Sequence, residues 1–335
     1  MIKERRPKLT WADLEMSKLE LTKLITHYAQ SNRADNKSAK TITWYSEMLE
    51  GYVKFLRSIN REPILAELNV ETVRQFILHE QSRSLSPFTV QGKVRALRAF
   101  SSWLWNEGYT PDNMLNRIKL PKAPQRIIEP LKGWEIDALL KTQNPLTALG
   151  SRNIALLMTF LDTASRLSEI CNVHFYDVHL EEGYLKVTGK GNRERLIPIG
   201  ASTQKVLWRY VIHFRPEPMG EQNDYLFLTL EGKRLQPNAV RLLLRRWGRN
   251  AGVPRLHAHL LRHTCATNFL LHHCGDVYRL KQILGHSTLQ MVDKYVHYAS
   301  VEDTIKHRPS SPVDRMSIKV IRSYNLDRML KNSRH

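Results

Sequence analysis

The chain has 335 residues, enough for about two domains, and a hydrophobic share of 42% that supports packed cores and excludes a disordered polymer. Its 51 Lys+Arg against 32 Asp+Glu leave a net charge of +19, which points to a polyanionic partner, nucleic acid being the commonest. No apolar run approaches the roughly 20 residues of a membrane span. The start, M-I-K-E-R-R-P-K-L-T, carries no apolar core of a secretory signal, so a cytoplasmic location is expected. Cys171, Cys265 and Cys274 form no C-x-x-C pair, and an odd count suits a reducing compartment.

Thr10 and Asp13 read as a capping pair. Leu14, Leu21, Leu24, Ile25 and Tyr28 then predict one helix, broken by the polar run S-N-R-A-D-N-K-S. A second helix is expected from near Ser38, with Ile42, Tyr45, Met48, Leu49, Tyr52 and Leu56 on one face. After Pro63 a third runs over about residues 70–80, with Val73, Phe76 and Ile77 inward. Ser86-Pro87 is an N-cap followed by proline at the first helical position. The fourth helix comes next with the stripe Val90, Val94, Leu97, Leu104, and Gly108 ends it. Its other face carries Lys93, Arg95 and Arg98, which could grip a duplex or simply be solvated.

From Asn116 to Leu131 three prolines and four cations without a period read as a basic extended linker. The expected division is therefore a helical unit over 1–115, a linker over 116–131, a second domain over 132–305 and a basic tail over 306–335 that either docks as a short helix or stays a flexible arm. The second domain opens with helices at about Trp134–Lys141 and Ser151–Leu161. The runs Y-L-K-V-T and R-L-I-P-I, separated by G-K-G-N, predict a hairpin with Lys190 at or just before its tip. Helices are then expected at about Ser202–His213, Asn238–Asn250, Ala258–His272, Val277–Leu284 and Leu289–Tyr298, with a short strand at Leu226–Leu230. Cys265 is read as a small core residue.

The chemistry concentrates between Leu256 and Tyr298. His259 and Arg262 stand three apart on a helix, His286 comes after a Leu-Gly turn, and Tyr295 stands nine residues later. An arginine fork matches two phosphate oxygens, and a tyrosine hydroxyl can be a covalent nucleophile once its proton is removed. Upstream, Arg166 and Lys190 supply further cations. D-T-A-S-R-L-S-E-I, V-T-G-K-G-N-R-E-R-L-I-P-I, H-L-L-R-H-T-C-A-T, L-G-H-S-T and D-K-Y-V-H, in this order and spacing, resemble the motifs of the tyrosine recombinase family, to which phage-type integrases and Xer recombinases belong.

That resemblance implies a mainly α fold of the DNA-breaking-rejoining type: a helical core-binding, SAM-like N-terminal domain, then a mostly helical catalytic domain with a small antiparallel sheet. It implies a site-specific recombinase acting through a 3′-phosphotyrosine, without a cofactor or metal, and integrating, excising or resolving DNA of a mobile element or a chromosome dimer. Tyr295 is the implied nucleophile. Arg166, Arg262 and His286 stabilise the charged phosphorane-like transition state, Lys190 protonates the leaving 5′-oxygen, His259 is the base, and Glu169 orients Arg166 or the histidines. Lys93, Arg95, Arg98, Lys119, Lys122 and Arg193 are the expected DNA contacts. The implied partners are duplex DNA with an inverted-repeat site and a homotetramer on paired sites.

The sequence departs from the family at Ala164, where glycine is usual two residues before the first arginine; alanine fits if its φ is negative. Ahead of the bundle there is room for one helix only, so an arm-binding β-domain is not expected. Singly, each residue has a plainer role: Arg166 and Glu169 as a surface ion pair, Lys190 in a solvated turn, Tyr295 as a core aromatic with Tyr298 as rival nucleophile. Three other activities compete. A topoisomerase of the same chemistry would relax DNA without a specific site. A non-enzymatic DNA-binding protein on this scaffold would have lost one or more of these groups, yet all are present. A metal-dependent nuclease would use His259 and His263 at i,i+4, but Leu260 stands where a zinc helix has its glutamate.

Overall fold

The computed structural model describes residues 16–124, 128–189, 191–220, 224–272, 274–285, 288–293, 295–296 and 299. The chain divides into two units, residues 1–126 and 127–335. Among the described residues no helix is long and apolar enough to cross a membrane.

Among its described residues the first unit packs α1 (Leu21–Ala34), α2 (Ala39–Ser58), α3 (Val70–Ser82) and α4 (Pro87–Asn106) together. Three of them start at side-chain caps that satisfy otherwise orphaned N–H groups. The Ser38 hydroxyl accepts from Thr41 N–H, Ser86 from Thr89 N–H ahead of a proline-led first turn, and Asn69 and Thr72 form a capping box. Leu24, Tyr28, Leu49, Tyr52, Leu56, Val73, Phe76, Val94, Leu97 and Leu104 all enter one core. Leu115 and Ile118 are buried in the same core, so the start of the proline-containing stretch packs on this unit.

The long first helix expected from the spacing is not continuous. Residues 18–20 leave the helix, and α1 starts only at Leu21. Here the backbone pairs with the segment after Pro63: Leu21 N–H donates to Pro63 O and Leu65 N–H to Leu19 O, both at 2.8 Å, and Glu20 bridges Ile64. A non-local pairing outweighs local periodicity. Thr10, Asp13 and Leu14 lie outside the described residues.

The second unit runs α5 (Gly133–Lys141), α6 (Ala148–Thr163), α7 (Leu167–Cys171), then β1 (Val178–His179), β2 (Tyr184–Thr188) and β3 (Glu194–Pro198). It continues with α8 (Ala201–His213), α9 (Pro237–Asn250), α10 (Ala258–Leu271) and α11 (Val277–Leu284), and then a 3₁₀ turn at Leu289–Met291. The sheet is antiparallel in the order β1-β2-β3, with Lys186 opposite Leu196. Leu185, Val187 and Ile197 point inward and join Phe160, Ile170, Leu207, Leu244, Trp247, Leu260 and Leu261 in the main core. Trp247 Nε1 donates to Leu139 O at 2.8 Å, tying α9 to α5. Two expectations are corrected. Leu226–Leu230 is no strand but part of a loop whose backbone makes isolated bridges, Tyr225 to His174 and Leu228 to Arg234. The helix expected from Leu289 starts as a 3₁₀ turn, and Asp293, Tyr295 and Val296 are helical beyond it.

A smaller cluster lies beside the main core: Ala164, Cys265, Ala266, Leu280, Leu284, Val292 and Tyr295, all buried. Ala164 is the C-cap of α6 at φ 48° and ψ 22°, so the negative φ that would suit alanine is not the one it adopts. The left-handed cap ends α6 and turns its carbonyl toward α10, at a cost to alanine of about 1–2 kcal/mol. A glycine there would relieve that strain but would lose a buried methyl and add freedom to the unfolded chain, about 1 kcal/mol each. Ala164→Gly is therefore expected to leave the denaturation midpoint nearly unchanged. Ala164→Val, β-branched at positive φ in a packed cluster, is expected to cost about 3 kcal/mol or more. A valine variant as stable as the parent in urea unfolding would contradict the left-handed cap.

Candidate active site

Arg166 is the N-cap of α7 and Glu169 its third residue, so the two face each other across one turn. Glu169 Oε2 accepts the Arg166 backbone N–H at 2.8 Å, and Oε1 accepts Arg166 Nη1 at 2.7 Å. A second guanidinium arrives from β3: Arg195 Nη1 and Nη2 reach Oε1 and Oε2 at 3.1 and 2.8 Å. The Glu169 side chain is 2% exposed and Arg195 14%, while Arg166 keeps 35% open. Burial alone would raise the Glu169 pKa, but the Arg195 fork and the Arg166 backbone N–H outweigh it and hold the carboxyl down at about 2. Arg195 Nε also donates to Ile283 O at 2.9 Å, near the C-terminus of α11. Sequence reasoning misses Arg195; the alternation in β3 marks it only as facing away from Leu196.

Arg262, on α10, is buried at 3% exposure. Its Nη1 donates to Ala164 O at 2.7 Å and Nη2 to Leu284 O at 2.8 Å. Both carbonyls belong to helix C-terminal ends, where the backbone dipole favours a cation. Burial, and then the charge of Arg166, push Arg262 down to about 10, which still leaves it charged near neutral pH; Tyr295 and Glu169 act the other way. Tyr295 is fully buried in the cluster around Ala164 and Leu284. The imidazole packed against it is that of His263, with ring centroids 5.2 Å apart; His263 Nε2 meets Ile128 O at 2.5 Å. His259, one turn earlier, is exposed. The i,i+4 histidines thus go to different surroundings and do not converge as a ligand pair. Among the described residues no three His, Cys, Asp or Glu side chains come together as a metal cage. Cys265 lies in the core, and burial pushes its thiol up to about 12.

Arg166, Glu169, Arg262 and Tyr295 are thus brought into one neighbourhood, with Arg195 and His263 added. Lys190 and His286 lie outside the described residues, as do Tyr298 and the tail from 306. Arg193, in the turn after Gly191 and Asn192, is exposed. In the first unit Arg95, Lys119 and Lys122 are exposed or partly so and Arg98 is half-buried. Lys93 differs: its ammonium pairs with buried Glu80 at 2.6 Å and sits over the Phe76 ring, so only 13% of the side chain is exposed. A second basic surface escapes the motif reading. On α9, Arg241, Arg245 and Arg249 recur every fourth residue, and all three are exposed; the helix has no acidic residue.

A family model, the phage integrase family, matches residues 129–302. Tyrosine recombinase XerC of Bacillus pumilus is 31% identical over 286 residues, covering 84% of this chain and 92% of the relative. Tyrosine recombinase XerD of Halalkalibacterium halodurans is 27% identical over 262 residues, covering 78% and 87%. In fold the chain is similar to XerH site-specific recombinase bound to palindromic difH substrate in a post-cleavage complex, with a TM-score of 0.66 at 21% identity over 82% of this chain and 81% of that one. It is also similar to a lambda integrase tetramer bound to a Holliday junction, with a TM-score of 0.65 at 15% identity over 86% and 83%. With a sequence match that runs through both units and over 92% of the XerC relative, the chain belongs to the phage integrase family and is a tyrosine-type site-specific recombinase.

Proposed function

We propose that Tyr295 is the nucleophile and that Arg166, Lys190, His259, Arg262 and His286 serve it. The observation that carries this reading is a chain of neighbours: Arg166 is fixed by buried Glu169, and Arg262 lies close enough to Arg166, Glu169 and Tyr295 to feel the charge of each. Tyr295 Oη attacks the scissile phosphorus and the bond to the 5′-oxygen breaks. The products are a 3′-phosphotyrosine and a free 5′-hydroxyl. One phosphoester replaces another, so no nucleotide is consumed. The phenol proton passes to His259, and Lys190 supplies the proton that the leaving 5′-oxygen takes. Arg166 and Arg262 face the charge that grows on the non-bridging oxygens, the term that usually dominates such catalysis. Reversal by a 5′-hydroxyl from a second site joins the new strand and restores the tyrosine.

Two features of the geometry bear on this reading. Tyr295 is fully buried, so cleavage requires the segment that carries it to swing the ring toward the duplex. The cations expected to hold DNA are Arg95, Arg98, Lys119, Lys122 and Arg193, together with Arg241 and Arg245 of α9; Lys93, paired with Glu80, serves the fold instead. The working assembly is a homotetramer on two sites, each with inverted-repeat arms. The likeness to XerC and XerD favours resolution of DNA dimers over arm-dependent integration.

Tyr295→Phe is expected to bind DNA as the parent does and to give no denaturation-resistant adduct on nicked duplexes; an adduct that persists would move the nucleophile, first to Tyr298. Lys190→Ala is expected to slow cleavage by about 10²–10⁴-fold, and a 5′-thio leaving group should restore most of the rate because sulfur departs without a proton. No rescue would remove Lys190 as the acid. Binding should fall steeply with salt as counterions are released. The pair Arg241→Ala/Arg245→Ala should make the slope of log K against log salt shallower by about two. An unchanged slope would take α9 off the DNA.

A further inference from the structure

Two glycines immediately precede the two catalytic groups that lie outside the described residues. Gly189 comes before Lys190, and Gly285 before His286. Both rest on the same ion pair. A Cβ at Gly189 would lie 3.2 Å from Glu169 Oε1 and 3.3 Å from Arg195 Nη1. At Gly285, whose φ is +61°, it would lie 3.1 Å from Arg195 Nη1 and 3.3 Å from Arg195 Cζ. Arg195 is therefore packed against the backbone entering each loop. Its Nε holds Ile283 O, and its fork holds Glu169, which in turn holds Arg166. One guanidinium thus joins the hairpin, the end of α11 and the start of α7. A lysine cannot replace it, because a point charge on a flexible stem lacks the planar fork and the third donor on Nε.

We propose that Arg195 is a positioning residue for strand cleavage: through Glu169 and the backbone of Gly189 and Gly285 it fixes the chain at the residues that immediately precede Lys190 and His286. This role rests on the catalytic assignments of Lys190, His286 and Arg166. Arg195 acts through Glu169 and the two glycines, and its own side chain is only 14% exposed. Its removal should resemble misplacement of the general acid and of a phosphate ligand, with binding left intact. A plain stabilising ion pair would instead lower activity evenly on every substrate, or not at all.

The test uses the full chain and the nicked duplex on which it forms its adduct, made with a 5′-oxygen or a 5′-thio leaving group. Arg195→Gln is expected to slow single-turnover cleavage of the oxygen substrate by about 10²-fold while Kd changes by no more than about twofold. The thio substrate should recover roughly tenfold or more of that loss, and Arg195→Lys should behave like Arg195→Gln. Hydrogen exchange gives a readout independent of activity: the amides of Gly189 and Gly285 should exchange faster in both variants, and the amide of Leu244 in the α9 core should keep its protection. Cleavage at the parent rate, an equal loss on the two leaving groups, or unchanged exchange at both glycines overturns the positioning role and leaves the catalytic assignment standing. A parent chain that forms no adduct at Tyr295 overturns the assignment itself, and this role with it.

Discussion

Guanidinium groups crowded into a small volume repel one another, and an anion among them offsets that repulsion. At an effective dielectric of about 20, two like charges ~4 Å apart repel by about 4 kcal/mol. Glu169 is that anion for Arg166 and Arg195. It is buried, it accepts from both forks and from the backbone N–H of Arg166, and it stays ionised down to about pH 2. Two arginines and one carboxylate are net positive, and Arg166 is the more open of the two cations. What faces outward is therefore a fixed positive group whose orientation a buried carboxylate dictates. On the proposed assignment, a phosphate at Arg166 meets a site already arranged, with little reorganisation left to do.

Arg262 reaches the same end by different means. Two helix ends hold it: the carbonyls of Ala164 and Leu284 each take one Nη donor. α6 closes with Ala164 itself in the left-handed conformation, and α11 closes with Gly285, directly after Leu284, in the same conformation. The left-handed cap ends each helix, leaving a C-terminal carbonyl to meet the arginine. The two positions differ in what lies beside the Cα. Gly285 packs against Arg195, so a side chain there would collide with the ion pair as well as strain the backbone. Ala164 buries its methyl in the cluster that holds Cys265, Ala266 and Tyr295, and carries only the backbone strain.

Much of the fold is legible in the sequence because its signals are local. Ser86 caps the helix it is expected to cap, the second helix starts just after Ser38 as expected, and the 3.6-residue spacing places Leu49, Phe76, Val94 and Leu97 in the core. The failures have non-local causes. The break at residues 18–20 depends on backbone pairing with residues 63–65. Lys93 lies on the polar stripe of its helix, yet it pairs with Glu80 from the preceding one. Motif spacing singles out Arg166, Glu169, Arg262 and Tyr295, because a recurring order of residues reports on a site without any knowledge of its shape. It cannot disclose Arg195, whose role emerges only when β3 lies beside α7 and α11, nor that His263 packs on Tyr295 while His259, the expected base, is exposed. The arginines of α9 are a readable signal, an unbroken i,i+4 series opposite Val240, Leu244 and Trp247, but they belong to no motif and so attract no role.

The burial of Tyr295 ties chemistry to assembly. On the assignment proposed above, a phenol kept among Ala266, Leu280, Leu284 and Val292 is out of reach of a phosphate, so this conformation is not the cleaving one. Bringing the ring out exposes apolar surface worth roughly 1.5–3 kcal/mol for a side chain of this size. At about 2 kcal/mol the open form makes up only a few per cent of the free protein. Contacts that favour the open form, with a duplex or with a second protomer, need supply only that small difference to make it the main species. A recombinase benefits from this scale of gap. A strand broken on a lone site is damage, whereas a strand broken within an assembled pair of sites has a 5′-hydroxyl waiting to rejoin it. Arg166, Glu169 and Arg195 are already in place in this conformation, so on that assignment the release of the tyrosine, and not the building of the site around Arg166, is the change that remains.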